Sequence, residues 1–271
     1  MNNDQVTSKE TAIILELAEQ CLSVEGDFVE LGCYRGDTSV SLGKLLAQNS
    51  SNSQNCGKPK ELSRKNASIF SRSDAEFYGA EGTIKPVENL CKNPEQMCKT
   101  TSKTVEKQCK TCAEAAEHLY ETPARHLWIY DSFAGLPEKT AEDASGAGKN
   151  FQAGELFMTK REVVEKIRRA NLHNVIIKKA WFDQLTDQDL PAQVAFAFLD
   201  GDLYSSIKTS LKLVAPRLQK QGVMIVHDYN NPELPGSSRA VDEFLRAHPH
   251  YHLAVRHTLA ILTAAARSNA S

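Results

Sequence analysis

A short apolar strand that runs directly into a glycine-containing turn is the feature that most constrains the fold of this chain. Residues 27–31 read Asp-Phe-Val-Glu-Leu, and the segment from Glu30 to Gly36 has the form Glu-x-Gly-x-x-x-Gly. From Thr38 onward, apolar residues return at helical spacing. A strand, a glycine turn and a helix in this order predict the first unit of an α/β fold, with the turn where such folds bind nucleotides.

Apolar strands and amphipathic helices alternate again in the second half of the chain. Strands are predicted at 127–130, 174–178, 195–199 and 223–226. Helices are predicted at 11–22, 159–170, 206–219 and 238–247. Strands separated by helices favour an α/β fold with a doubly wound, mostly parallel sheet, whose ligands bind outside the carboxyl ends of the strands.

Residues 48–122 differ in character from the rest of the chain. Ser, Asn and Lys dominate the beginning of this segment, apolar periodicity fades, and five of the seven cysteines lie in it. We therefore predict a single domain over residues 1–271, with 48–122 as an insertion after the first βα unit. Within the insertion, 48–73 is predicted to be a mobile loop and 94–120 to be helical.

Four cysteines of this insertion raise the question of a structural metal. Cys91, Cys98, Cys109 and Cys112 are enough for a tetrahedral zinc site, but their spacing matches no standard zinc module. Unligated thiols are therefore the preferred interpretation, and zinc is the alternative.

Composition and charge exclude several classes of partner. Apolar residues make up 41% of the chain and the formal net charge is −2 at pH 7, so a general attraction to nucleic acid or to an anionic membrane is not expected. The first ten residues lack the features of a signal peptide, and no apolar run approaches the roughly 20 residues that cross a bilayer. We expect a cytoplasmic protein with reduced thiols and leave its oligomeric state open, a homo-oligomer included.

The spacing of the glycines discriminates between two kinds of cofactor. Glycines let the backbone approach a ligand closely, and the helix that follows offers free N–H groups to a carboxylate. A dinucleotide-binding turn has the pattern Gly-x-Gly-x-x-Gly, which the segment from Gly32 to Gly36 lacks. The loop therefore favours S-adenosylmethionine over NAD.

Asp131 immediately follows the apolar strand predicted at 127–130. Its carboxylate is placed to accept hydrogen bonds from both hydroxyls of a cofactor ribose. An aspartate that caps a turn is the simpler alternative, because Asp is common directly after strands. Considered alone, Asp131 is better explained as a residue that caps a turn. The motifs further along the chain favour the cofactor role instead.

Two later strands also end in acidic residues. Asp200 and Asp202 follow the strand at 195–199, and Asp228 follows the strand at 223–226 with His227 before it. Neighbouring carboxylates at a half-buried site repel one another unless a cation or a basic group compensates. Oxygen ligands suit hard cations such as Mg²⁺, so these strand ends predict a metal site.

Two of these residues have alternative roles. His227 is either a metal ligand itself or a residue that orients an aspartate through a hydrogen bond. Asp202 is the alternative candidate for the cap of the helix that follows it.

Four phrases of the sequence resemble the macrocin O-methyltransferase family. They are Phe-Val-Glu-Leu-Gly at 28–32 with Gly36, Tyr-Asp-Ser-Phe-Ala-Gly-Leu-Pro at 130–137, Asp-Gly-Asp-Leu-Tyr-Ser-Ser at 200–206, and His-Asp-Tyr at 227–229. The resemblance covers about residues 11–47 and 123–262. It implies a class I methyltransferase fold, S-adenosylmethionine as the methyl donor, and a divalent metal, usually Mg²⁺, that holds the acceptor oxygen.

The resemblance also assigns roles to individual residues. Contacts with the cofactor are implied for Glu30, Gly32, Tyr34, Gly36, Asp131, Ser132, Trp181 and Phe182, the last two flanking its adenine. Asp200 and Asp228 are implied as metal ligands, with His227 as the third candidate, and either Asp200 or Asp202 is the expected proton acceptor. The chain departs from the family pattern at His227, where an acidic residue often stands, and at Ala180, where glycine often stands.

The predicted function is therefore O-methylation of a hydroxyl on a sugar or another polyhydroxylated small metabolite. One alternative is a non-catalytic protein that retains the cofactor cleft and docks a partner through its insertion. The other is an NAD-dependent dehydrogenase or epimerase, which the glycine spacing disfavours. Acceptor pockets are built from variable loops, so the sequence does not name the acceptor.

Overall fold

A computed structural model of the chain describes residues 6–55, 76–78, 84–86, 125–145 and 150–264. The chain divides into two compact units, one formed by 1–55 with 124–271 and the other by 56–123. The four cysteines considered for zinc and the helix predicted at 94–120 lie outside the described residues. Cys21 and Cys33, which are described, are buried free thiols.

The elements alternate along the larger unit much as the sequence predicts. In chain order they are α1 (Ser8–Gln20), β1 (Asp27–Leu31), α2 (Asp37–Asn55), the strands β2 (Glu76–Tyr78) and β3 (Ile84–Pro86) of the smaller unit, β4 (Leu127–Asp131), α3 (Lys160–Arg169), β5 (Val175–Lys179), β6 (Val194–Leu199), α4 (Tyr204–Val214), β7 (Leu218–Val226), α5 (Pro235–Ala247), β8 (Tyr251–Arg256) and β9 (Leu259–Ala264). None of the helices in the described ranges combines the length and the apolar content needed to cross a bilayer.

Within the described residues, seven strands form the main sheet, in the order β5-β4-β1-β6-β7-β9-β8. The first five are parallel to one another, β9 is antiparallel to β7, and β8 is antiparallel to β9. β2 and β3 pair separately as an antiparallel ribbon in the smaller unit. The doubly wound, mostly parallel sheet predicted from the sequence is confirmed.

Helices cover both faces of the sheet, which is the reason that its central strands consist mainly of apolar residues. Alternate residues of each strand point to opposite faces. Phe28 and Phe196 pack in one cluster with residues of α1, α2 and α3. Val29 and Ala197 pack in the other with residues of α4 and α5. Every residue of β6 is buried, so this strand lies at the centre of the core.

Several boundaries differ from those predicted, and two of the differences have a clear physical reason. α2 continues to Asn55, so the predicted mobile loop does not begin at residue 48. Extending an existing helix forms one hydrogen bond per residue, and this does not require apolar side chains. α4 ends at Val214 and β7 begins at Leu218, because Pro216 lies in the intervening 3₁₀ turn and cannot donate a helical hydrogen bond.

Candidate active site

The carboxyl ends of four parallel strands meet at one edge of the sheet. The register pairs Leu31 of β1 with both Tyr130 of β4 and Leu199 of β6. Leu199 in turn pairs with Val226 of β7. The residues that follow these positions are therefore neighbours at this edge: Gly32, Asp131, Asp200 and His227.

The glycine turn after β1 is shaped by its neighbour on β6. Gly32 has φ +88°, and a Cβ atom built on it would lie 1.9 Å from the carbonyl oxygen of Asp200. The glycine is thus required by the close approach of two protein backbones, in addition to the ligand approach that the sequence suggested. Tyr34, with φ 41°, and Gly36, with φ +72°, complete the turn before α2 begins.

Asp131 fixes this turn by accepting backbone hydrogen bonds. Its Oδ2 atom accepts from the N–H groups of Cys33 at 2.9 Å and Tyr34 at 3.3 Å, and its Oδ1 atom accepts from Phe133 at 2.7 Å. The turn role offered by the sequence as the simpler alternative is therefore present. A carboxylate has about four acceptor positions, so about one is left for a ligand.

Glu30 lies in the core. It is 0% exposed, its Oε2 atom accepts a short hydrogen bond from the Ser39 hydroxyl, and its Oε1 atom has no partner among the described residues. Burial raises the pKa of Glu30 to about 8; the Ser39 hydrogen bond opposes this and the charges of Asp200 and Asp131 add to it. The carboxyl group is therefore neutral near pH 7.

A cavity of about 350 Å³ opens beside the turn, within the range of small-molecule sites. Its wall includes six of the residues expected to contact a cofactor: Gly32, Tyr34, Asp131, Ser132, Trp181 and Phe182. Asp200 and Asp202 line the same cavity, whereas Glu30 and Gly36 are not among its lining residues. Leu136 and Pro137, which end the phrase at 130–137, also form its wall, and so does Thr209, which the sequence did not single out.

The acidic residues after β6 and β7 converge on His227. Its Nδ1 atom lies 3.0 Å from Asp200 Oδ1 and 3.0 Å from Asp228 Oδ2. One ligand atom from each of these three residues lies within 4.8 Å of the others. His227 and Asp228 are buried and Asp200 is partly buried, so the residues predicted to hold a metal are brought together.

Two carboxylates and one imidazole form a donor set that fits a divalent cation. Burial lowers the pKa of His227, but the surrounding carboxylates, led by Asp200, raise it well above its ordinary value. The carboxylates around His227 therefore favour the charged form of its imidazole, which offsets part of the negative charge of this cluster.

Asp202 is buried against the same cluster. Its backbone has φ 57°. Burial raises the pKa of Asp202 well above its ordinary value, and the charges of Asp200 and Asp228 raise it further. Among the described residues no hydrogen bond to the Asp202 carboxylate is found, so its oxygens are available to a ligand.

The helix-cap role considered for Asp202 belongs to another residue. The backbone N–H of Tyr204, the first residue of α4, donates to Asp143 Oδ1 at 2.7 Å. Asp143 comes from the 3₁₀ turn Ala141–Asp143 and is itself buried. No local sequence signal connects Asp143 with a helix that begins 61 positions later, and sequence reasoning missed it.

Glu10 of α1 is a second residue that sequence reasoning missed. Its side chain is buried, and Glu10 Oε2 lies 3.8 Å from His227 Nε2. Burial raises the pKa of Glu10, but the nearby His227 ring and hydrogen bonds from Thr258 and Thr7 outweigh this and lower it well below its ordinary value. The Thr-x-x-Glu spacing of Thr7 and Glu10 is a capping-box signal, which locates the start of α1 but not its distant contact.

Comparison with known proteins places this arrangement in a family. The macrocin O-methyltransferase (TylF) family matches residues 110–252, more than half of the chain. The chain belongs to the macrocin O-methyltransferase family.

Two curated relatives of this macrocin O-methyltransferase family member are O-methyltransferases by name. One is 8-demethyl-8-(2,3-dimethoxy-alpha-L-rhamnosyl)-tetracenomycin-C 4′-O-methyltransferase from Streptomyces olivaceus, 31% identical over 112 residues, which are 39% of this chain and 42% of the relative. The other is demethyldecarbamoylnovobiocin O-methyltransferase from Streptomyces niveus, 29% identical over 125 residues, 44% of this chain and 47% of the relative. The chain thus spans less than half the length of either.

The similarity in fold to a solved structure covers more of the chain than the sequence similarity to the curated relatives. The structure of the O-methyltransferase NovP superposes with a TM-score of 0.61 and 18% identity, covering 95% of this chain and 80% of that one. At this identity the likeness establishes the fold, and the class I methyltransferase fold expected from the sequence is confirmed.

Proposed function

We propose that this member of the macrocin O-methyltransferase family is an S-adenosylmethionine-dependent O-methyltransferase. Its acceptor is a hydroxyl of a sugar or another polyhydroxylated small metabolite, and a divalent cation, Mg²⁺ by expectation, assists the transfer. Family membership and the names of the curated relatives support this class of reaction.

One observation carries the proposal. Asp200 lies on the wall of the cavity formed by the glycine turn and Asp131, and it also belongs to the cluster with His227 and Asp228. A pocket for a methyl donor and a site for a cation therefore share a residue. This arrangement can hold the acceptor oxygen next to the methyl group. Such positioning of the reacting atoms lowers the activation barrier of methyl transfer.

The residues around the cavity fit S-adenosylmethionine, which supplies an electrophilic methyl group on a sulfonium. Trp181 and Phe182 offer apolar faces for an adenine. Asp131 retains about one acceptor position for a ribose hydroxyl after its three backbone contacts. Gly32 keeps the wall free of a side chain where the turn meets Asp200.

Asp200, His227 and Asp228 would hold the cation, which lowers the pKa of a bound hydroxyl and fixes its oxygen. Asp200 is engaged by His227 at 3.0 Å, whereas the Asp202 carboxylate faces the same cavity without a described hydrogen bond. A cation beside this cluster would favour the ionised form of Asp202, and its raised pKa would then make it a stronger base than an ordinary aspartate. We therefore assign Asp202 as the residue that accepts the proton of the hydroxyl, and Asp200 as a ligand.

Calorimetry with S-adenosylmethionine and with NAD tests the cofactor assignment. Binding of the first and not the second is expected; binding of NAD alone would transfer the chain to the dehydrogenase alternative, and binding of neither would favour the non-catalytic one.

Methyl transfer to a sugar hydroxyl acceptor, with and without EDTA, tests the cation. Asp200→Asn and Asp228→Asn keep shape and remove charge, so turnover should collapse while S-adenosylmethionine still binds. Asp187→Asn is a matched control, because Asp187 is a surface residue with a 93% exposed side chain that pairs with Arg217. Full activity in EDTA would rule out the metal mechanism and leave the methyltransferase assignment standing.

A further inference from the structure

The two ring nitrogens of His227 face different groups. Nδ1 faces Asp200 and Asp228, each at 3.0 Å. Nε2 faces the opposite way, toward Glu10 Oε2 at 3.8 Å. The group that can hold a cation consists of Asp200, His227 and Asp228, and both of its carboxylates lie next to Nδ1. Glu10 lies next to Nε2 and outside that group.

The Glu10 carboxylate is held in this place by α1 and by the turn before β9. Its Oε1 atom accepts a short hydrogen bond from the Thr258 hydroxyl. Its Oε2 atom accepts from the backbone N–H of Thr7 at 2.9 Å and from the Thr7 hydroxyl at 2.7 Å. The residue is 3% exposed. Both oxygens of Glu10 are thus held by hydrogen bonds that do not involve His227.

The backbone that carries His227 is also fixed. The His227 N–H donates to the Leu199 carbonyl at 3.0 Å, and the His227 carbonyl accepts from the Ser237 hydroxyl at 2.8 Å. The ring itself packs 6.1 Å from the ring of Phe198, centre to centre. A ring held on these sides can present only one nitrogen to Asp200 and Asp228.

We propose that Glu10 is a positioning residue that receives the Nε2–H of His227 and so presents the lone pair of Nδ1 to a divalent cation shared with Asp200 and Asp228. Histidine ligands in proteins commonly donate their other N–H to a carboxylate, which fixes the tautomer and the ring orientation. The inference rests on the cation site of the proposed function and adds a residue from the N-terminal helix to it.

The test uses Mn²⁺ as the probe, with its affinity measured from the electron paramagnetic resonance signal of the free ion. Pulsed measurements then report whether a ¹⁴N nucleus is bonded to the ion. Wild-type protein is expected to show one coupled nitrogen. Glu10→Gln keeps the size of the side chain and removes its charge, and the loss of such a partner typically weakens metal binding by about 10–100-fold.

Glu16→Gln is the matched control on the same helix. Glu16 is exposed and forms an ion pair with Arg256, so its loss should leave the Mn²⁺ affinity and the nitrogen coupling unchanged. An unchanged affinity and coupling in Glu10→Gln overturns the proposal. If Glu10→Gln does not fold, Thr258→Val tests the same carboxylate by releasing its Oε1 atom; a weaker affinity supports the proposal and an equal one overturns it.

A double-mutant cycle separates positioning from packing. His227→Asp has no second nitrogen for Glu10 to hold, so adding Glu10→Gln to it should not weaken Mn²⁺ binding further. A purely structural role would cost the same affinity in both backgrounds, and that result overturns the proposal.

Failure of the inference and failure of the proposed function give different results. Wild-type protein that binds Mn²⁺ without a coupled nitrogen, or does not bind it, overturns the inference. Calorimetry with S-adenosylmethionine on the same sample then reports whether the methyltransferase assignment survives.

Discussion

A Cβ atom on Gly32 would overlap the carbonyl oxygen of Asp200, which lies 1.9 Å from its position. The glycine turn and the aspartate loop are therefore fitted to each other, and any side chain at position 32 must push the two strand ends apart.

Gly32→Ala should destabilise the protein and weaken cofactor binding together. Gly154→Ala is the control, because Gly154 has a similar φ of +82° with nothing near its Cβ position. The control should cost only backbone strain, on the order of 1–2 kcal/mol, whereas the overlap at Gly32 should add roughly 1–3 kcal/mol. Urea unfolding of both variants measures the difference. Equal losses of unfolding free energy would mean that the two strand ends move apart without an energetic cost.

Asp131→Ala should lower the affinity for S-adenosylmethionine at least tenfold, because the turn residues Cys33 and Tyr34 lose their hydrogen-bond acceptor along with the ribose contact. Asp27→Ala is a comparable change at the opposite end of β1, where Asp27 accepts from the His126 N–H and the Trp128 indole. Calorimetry should show normal affinity for the Asp27 variant. An unchanged affinity in folded Asp131→Ala would remove Asp131 from the site.

Asp143→Ala should destabilise α4 by about 0.5–2 kcal/mol, the usual cost of a lost helix cap. The Tyr204 N–H loses its acceptor, and so do the backbone N–H and hydroxyl of Thr140. Chemical denaturation measures the loss. A variant as stable as the wild type would show that solvent replaces Asp143 without cost.

Glu30 should make the stability of the protein depend on pH. Burial raises its pKa from 4.5 to about 8, so between these values the folded state holds a proton that the unfolded state has lost. Its contribution is therefore fully present below about pH 4.5 and declines by roughly 1.4 kcal/mol per pH unit up to about pH 8.

Glu30→Gln removes that titration while keeping the shape of the neutral acid. Relative to wild type, the variant should gain stability between pH 5 and pH 8 in urea unfolding curves. Glu19→Gln, on the exposed side of α1, should follow the wild type at both values. Parallel curves for Glu30→Gln and wild type would mean that Glu30 is ionised in the folded protein.

The sequence predicted the parts of this structure that depend on local pattern. Apolar runs locate the parallel strands, and the residues directly after them, such as Gly32 and Asp200, reach the same edge because parallel strands share a direction. Contacts between residues far apart in the sequence were not predictable in this way. Glu10 meets Thr258 across 248 positions, and Asp143 caps a helix of another segment, contacts that no sequence periodicity encodes.

The position of β1 between β4 and β6 has a practical consequence for anyone who trims this protein. The stretch that matches the family begins at residue 110, after β1, although β1 is the strand that joins the two halves of the parallel sheet. A fragment cut to the limits of the similarity would keep Asp131, Asp200 and Asp228 and leave the strands that carry them with a gap between them. The limits of that match are therefore not the limits of the folding unit, because the sheet requires a strand that lies outside them.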